Sequence, residues 1–157
     1  MTTKVKPIPE GYHTVTPYLT VSDGARAIEF YKNAFGATEI FKMAGPDGKI
    51  GHAELQIGDS RIMLGSESPQ MGTHSPESLK GTPVGIFLYL EDVDASFKRA
   101  LGAGAKEKQA LQDMFWGDRY GKLTDPFGHE WHLATHKEDV TPEEMEKRIK
   151  AASAHGG

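Results

Sequence analysis

The chain contains no cysteine, so it has no disulfide framework and no thiolate chemistry. That suits a reducing, cytoplasmic setting. It has no apolar run of transmembrane length, and its opening stretch, Met1-Thr2-Thr3-Lys4-Val5-Lys6, has nothing like the apolar core of a secretory leader. Positive charge is not in excess. The formal net charge is −4, which argues against a general binder of nucleic acid or of anionic membrane. No glycine-rich strand-to-helix loop is present to cradle a nucleotide-like cofactor. What remains is 157 residues, 38% hydrophobic and 25% charged, enough for a core without disulfides or a structural metal. These exclusions predict a cytoplasmic protein whose partner is a small molecule, not a nucleic acid or a membrane.

Periodicity predicts the elements. Residues 12–21 alternate, with Val15, Pro17, Leu19 and Val21 on one face, and predict a strand. Ser22 or Asp23 can cap a helix whose Ala27, Tyr31, Ala34 and Phe35 share one side, and Gly36 closes it. Three strands follow, at 38–44, 49–57 and 61–64. A second pass begins after a Gly-, Ser- and Pro-rich linker at about 67–82. It reads as a strand (84–90), a helix (93–101) and strands at 105–115, 119–125 and 130–135. Ala34-Phe35-Gly36-Ala37 is echoed by Ala100-Leu101-Gly102-Ala103, and Gly51 and Gly58 by Gly121 and Gly128. The fold class expected is α+β: two βαβββ modules, at about 12–66 and 83–136, forming a curled, mostly antiparallel sheet around a central cavity. Thr141-Pro142-Glu143-Glu144 opens a further helix through about 152.

Alternation also sorts the faces. Ala53, Leu55 and Ile57 belong under a helix, which leaves His52, Glu54 and Gln56 opposite. The same reasoning puts Arg61 and Met63 opposite Ile62 and Leu64. It puts Gly85, Phe87 and Tyr89 opposite Val84, Ile86, Leu88 and Leu90, and Glu130 and His132 opposite Trp131 and Leu133. One face therefore collects Thr16, Tyr18, His52, Glu54, Arg61, Phe87, Tyr89, Glu130 and His132. Aromatic rings mixed with histidines and carboxylates suit a ligand cavity better than a solvated surface. His129 should face away from His132. His13, His74, His136 and His155 read as surface residues.

Several segments resemble the PhnB-like branch of the glyoxalase/bleomycin-resistance/dioxygenase (vicinal oxygen chelate) superfamily. They are Pro17-Tyr18-Leu19, Ala27-Ile28-Glu29-Phe30-Tyr31, Phe35-Gly36-Ala37, His52-Ala53-Glu54-Leu55, Trp116-Gly117-Asp118-Arg119 and Asp125-Pro126-Phe127-Gly128-His129-Glu130-Trp131. The resemblance spans residues 14–136. It implies the fold described above, a homodimer, and one of several activities: lyase, isomerase or dioxygenase chemistry, or antibiotic binding without chemistry. It also implies a divalent-metal site at four positions, here Thr16, Met63, Gly85 and His132. Of these only His132 is a good ligand for a hard or borderline ion, so the usual metal set is missing. The pairs His52/Glu54 and Glu130/His132 offer an alternative set of four donors.

Without metal, an imidazole that exchanges protons near neutral pH makes His52 the acid or base, oriented by Glu54. Tyr18, Arg61, Met63, Phe87, Tyr89, Trp116, Asp118 and Arg119 are the substrate-binding candidates. Arg119 would hold an anion in a two-pronged grip and Trp116 would stack on the ligand. The alternative is that Asp118 and Arg119 pair with each other while Trp116 covers the core.

Overall fold

A computed structural model describes residues 4–155, and for His155 the backbone only. It divides into two units, Met1–Gly81 and Thr82–Gly157. The expected α+β plan of two βαβββ modules is present as two four-stranded sheets, one in each unit, neither closed into a barrel.

In the first unit, β1 (Tyr18–Val21), α1 (Gly24–Phe35), β2 (Thr38–Ala44), β3 (Ile50–Ile57) and β4 (Ser60–Ser66) follow the expected order. The spatial order is β1-β4-β3-β2. β1 runs parallel to β4, and the other pairings are antiparallel. Asp23 caps α1 by accepting a hydrogen bond from the Arg26 amide at 3.2 Å. Gly36 ends the helix at φ 68°, a left-handed turn that costs glycine little. Ala27, Ile28, Tyr31 and Ala34 are buried on one side of α1, and Ala53, Leu55, Ile57, Ile62 and Leu64 are buried on β3 and β4.

The second unit repeats the plan with β5 (Gly85–Tyr89), α3 (Val93–Ala103), β6 (Lys106–Asp113), β7 (Asp118–Thr124) and β8 (Glu130–His136), ordered β5-β8-β7-β6. Gly104 closes α3. Buried Val93, Phe97, Leu123, Trp131 and Leu133 form its core. Asp125 fixes the turn into β8. One of its oxygens accepts the amides of Phe127 and His129 at 2.8 and 3.0 Å, and the other accepts the Trp131 indole N–H at 2.9 Å. That is why the Asp-Pro-Phe-Gly segment ends where it does. The C-terminal helix, α4 (Pro142–His155), begins with the Thr141 hydroxyl accepting the Glu144 amide. Among the described residues no helix is long and apolar enough to cross a membrane.

Three expectations need correction. The strand predicted over 12–21 is paired only from Tyr18. Val15 is exposed, and Pro17, which has no N–H to give a ladder, stands at the boundary. Val84 lies just before β5 and is exposed, not packed beneath the helix. The linker is not featureless. A 3-10 turn (Pro69–Met71) and a short helix, α2 (Pro76–Leu79), are tied together by Glu67, which accepts from the Ser75 amide at 3.0 Å and from the Ser75 and Ser78 hydroxyls. Those bonds lower the Glu67 pKa, the Ser75 amide most of all.

Candidate functional site

The open face of the first sheet, away from α1, carries the side chains that alternation assigned to it. β3 presents His52 and Glu54, β1 presents Tyr18, and β4 presents Arg61 and Met63, each facing away from buried neighbours. Their geometry forms a polar chain. The Tyr18 hydroxyl lies 3.3 Å from His52 Nδ1, and His52 Nε2 lies 3.4 Å from a Glu54 oxygen. The other Glu54 oxygen accepts the Tyr12 hydroxyl. Gly65 makes room for this arrangement, because a Cβ there would stand 2.9 Å from the Tyr18 hydroxyl and 2.7 Å from the Gly51 carbonyl. Phe41 of β2 approaches the His52 ring at 6.4 Å between centroids and gives the site an apolar edge. Both nitrogens of His52 thus have polar neighbours, and the ring is only partly buried.

The open face of the second sheet differs in chemistry. Phe87, Tyr120 and His132 form a ring cluster, Phe87 lying nearly parallel to His132 at 5.7 Å. His132 Nδ1 is 2.5 Å from the Tyr120 hydroxyl. Burial holds the His132 pKa below the ordinary imidazole value, and nearby Lys122 adds to the effect. Burial likewise raises the Tyr120 phenol, with help from Glu130. Glu130 is paired with Lys108, and that bond holds the Glu130 carboxyl below the ordinary value.

Asp118 is the second face's buried hub, only 3% exposed. Its carboxylate accepts the Tyr89 hydroxyl at 3.0 Å and the Trp116 indole N–H at 3.2 Å, and faces His136 Nδ1 at 2.8 Å. His136 Nε2 in turn meets Asp139 at 2.7 Å. The Asp118 bond, then the Asp139 bond, raise the His136 pKa. His136 is exposed, as expected of a surface residue, and is in addition tied into this network. The signal for it was weak in sequence, because Tyr89, the Trp116–Asp118 stretch and His136 come from separate segments. The side chain of His155 lies outside the described residues.

Arg119 does not pair with Asp118 and is already engaged by other carboxylates. It alternates with Asp118 and Tyr120 and so points to the helix side, where its guanidinium grips Asp94 of α3 at 2.9 Å and reaches Asp113 at 3.4 Å. The Asp94 bond is the main reason the Arg119 pKa is raised and the Asp94 pKa lowered.

The four positions at which the family resemblance implies metal ligands do not fit an ion. Thr16 precedes β1, Met63 offers a soft thioether, and Gly85 offers no donor. At Gly85 the His132 ring fills the space a side chain would need: an added Cβ would stand 2.5 Å from Nε2. In the alternative donor set, Glu54 is engaged by Tyr12 and His52, Glu130 by Lys108, and His132 by Tyr120. Among the described residues no group of three or more His, Asp or Glu is placed to hold a metal ion.

A family model, Glyoxalase/Bleomycin resistance protein/Dioxygenase superfamily, matches residues 12–133. The chain belongs to this superfamily. The uncharacterized protein Mb0911c of Mycobacterium bovis is 48% identical over 140 residues, which cover 87% of this chain and 92% of that protein. The crystal structure of TioX from Micromonospora sp. ML1 superposes with a TM-score of 0.65 at 28% identity, covering 79% of this chain and 98% of TioX. A putative 3-demethylubiquinone-9 3-methyltransferase, PhnB protein, from Bacillus cereus superposes with a TM-score of 0.58. It covers 78% of this chain and 99% of its own; at 18% identity the likeness is one of fold. Within the superfamily, this chain has the duplicated βαβββ plan.

Proposed function

We propose that the protein binds a small oxygenated or aromatic molecule on the open face of its first module, where His52 and Glu54 move a proton on that molecule without a metal. The observation that carries this is the Tyr18–His52–Glu54–Tyr12 chain on a face that also presents Phe41. A proton taken up by His52 would be stabilised by the Glu54 carboxylate, and the Tyr18 hydroxyl can hand a proton to Nδ1 or hold the ring in place. Placement in the PhnB-like branch is part of this reading, supported by the motifs around Tyr18, His52 and Asp125. So are a homodimer and a cytoplasmic location, which fit a cysteine-free chain of this family.

A second reading is favoured by Phe87 and Tyr89, which are 44% and 65% exposed. Exposed neighbouring rings, tilted against each other with centroids 4.9 Å apart, suit a protein that sequesters a flat drug or metabolite and changes no bond. One experiment separates the two. Small oxygenated and aromatic metabolites are screened by thermal shift, and each hit is then followed by NMR in the presence of wild type and His52→Gln. Conversion by wild type, lost in His52→Gln while binding persists, is expected. A hit that binds and never changes would establish sequestration instead.

A further inference from the structure

Arg61 differs from the paired arginines. Arg119 and Arg148 each hold two carboxylates. Arg61 has no ion pair or hydrogen bond among the described residues, and its Nε is buried without an acceptor. Leaving a buried charged donor unpaired is costly, so a partly buried guanidinium normally finds a carboxylate or carbonyl. Packing holds this one in place. The Tyr12 ring lies 5.2 Å from its centre. Gly11, at φ +85°, brings the backbone so close that a Cβ there would collide with Nη2.

The duplication sharpens the contrast. Tyr18 is in register with Met63, as Phe87 is with His132, so Arg61 corresponds to Glu130. In the second module that position is neutralised by Lys108. In the first, the opposite charge is left without a counterpart, beside the His52–Glu54 pair. A depression of about 420 Å³ beside Asp118 is walled by Asp113, Asp118 and Glu138 against a single Lys137, and suits an anion poorly.

We propose that Arg61 is the anchor for a carboxylate on the ligand, so that the molecule taken by the first module is a small organic monoanion. This rests on the reading of that face as the ligand face. A carboxylate suits the planar two-pronged donor edge of a guanidinium. A doubly charged phosphate would meet only one cation there, with Glu54 close by on the neighbouring strand. The acid–base pair would then act on an atom near that carboxylate.

The test uses the intact protein labelled with ¹⁵N and titrated with benzoate, with neutral benzamide and inorganic phosphate in parallel. Benzoate is expected to shift the Arg61 Nε–H and the His52 ring signals saturably, and benzamide to leave Arg61 unmoved. Arg61→Lys should weaken benzoate about tenfold and Arg61→Gln abolish its binding, while Arg119→Gln changes nothing. The wild-type Arg61 signal needs no variant, so a variant that misfolds does not spoil the result. If His52 shifts while Arg61 does not, the ligand face stands and the carboxylate anchor falls. If neither moves, both fall. Saturable phosphate binding in place of benzoate would also overturn the monoanion assignment.

Discussion

At the scale of single residues, two histidines respond to pH in opposite directions. His132 has a lowered pKa, chiefly through burial. Its contribution to stability is full above the unfolded value of about 6.5 and is lost as pH falls from there through its lower folded value. His136 has a raised pKa, chiefly through Asp118. Its contribution is full below about 6.5 and is lost as pH rises through its higher folded value. An NMR titration of the imidazoles should therefore find His132 titrating below, and His136 above, the ordinary value. The reverse order would contradict the burial of His132 and the Asp118 bond of His136. Asp118→Asn is expected to destabilise the protein by about 1–3 kcal/mol in urea melts, because an amide cannot accept from three donors at once. The same change should bring the His136 pKa down. These partners were not legible in the sequence: Tyr89 and Asp118 are 29 residues apart, and Arg119 and Asp94 are 25 apart. Nothing local in the chain announces which carboxylate a distant donor will find.

At the scale of elements, period-two alternation assigned His52, Glu54, Arg61, Met63, Phe87 and His132 to open faces, since a strand cannot change faces without losing its core. The length of β1 was not legible in the same way. Alternation describes a strand's faces but not whether a neighbour pairs with it, and residues 12–16 have no place in the ladder. Instead Tyr12 crosses to Glu54 and Arg61 from outside the sheet. Caps were legible because their chemistry is local. Asp23→Ala should cost about 1 kcal/mol, measured by thermal or urea denaturation. Gly85→Ala tests packing between strands. Its Cβ would occupy the place of the His132 ring, so the ring must turn and lose Tyr120. A loss of about 1–3 kcal/mol is expected, with a changed His132 proton shift. An unchanged spectrum would show that the ring has room to spare.

At the scale of the whole molecule, duplication was visible through repeated helix ends and paired glycines, and the structure places each copy around its own buried residues. The copies have kept a backbone plan and parted in chemistry. Histidine and glutamate meet on one open face; on the other, an imidazole is sequestered by a phenol and a carboxylate is buried as a hub. The dimer expected from the family is checked by sedimentation. A species of twice 17.2 kDa at micromolar concentration supports it, and one of 17.2 kDa alone contradicts it.

The two tryptophans, Trp116 and Trp131, both sit in the second copy, one bonded to Asp118 and the other sealed in the core. Intrinsic emission is therefore a private optical channel for that half, and the first half is dark in it. Far-ultraviolet circular dichroism sees both. A copy of this size is marginal by itself, so the two signals should melt together. An emission midpoint displaced from the dichroism midpoint would reveal two melting units in one chain.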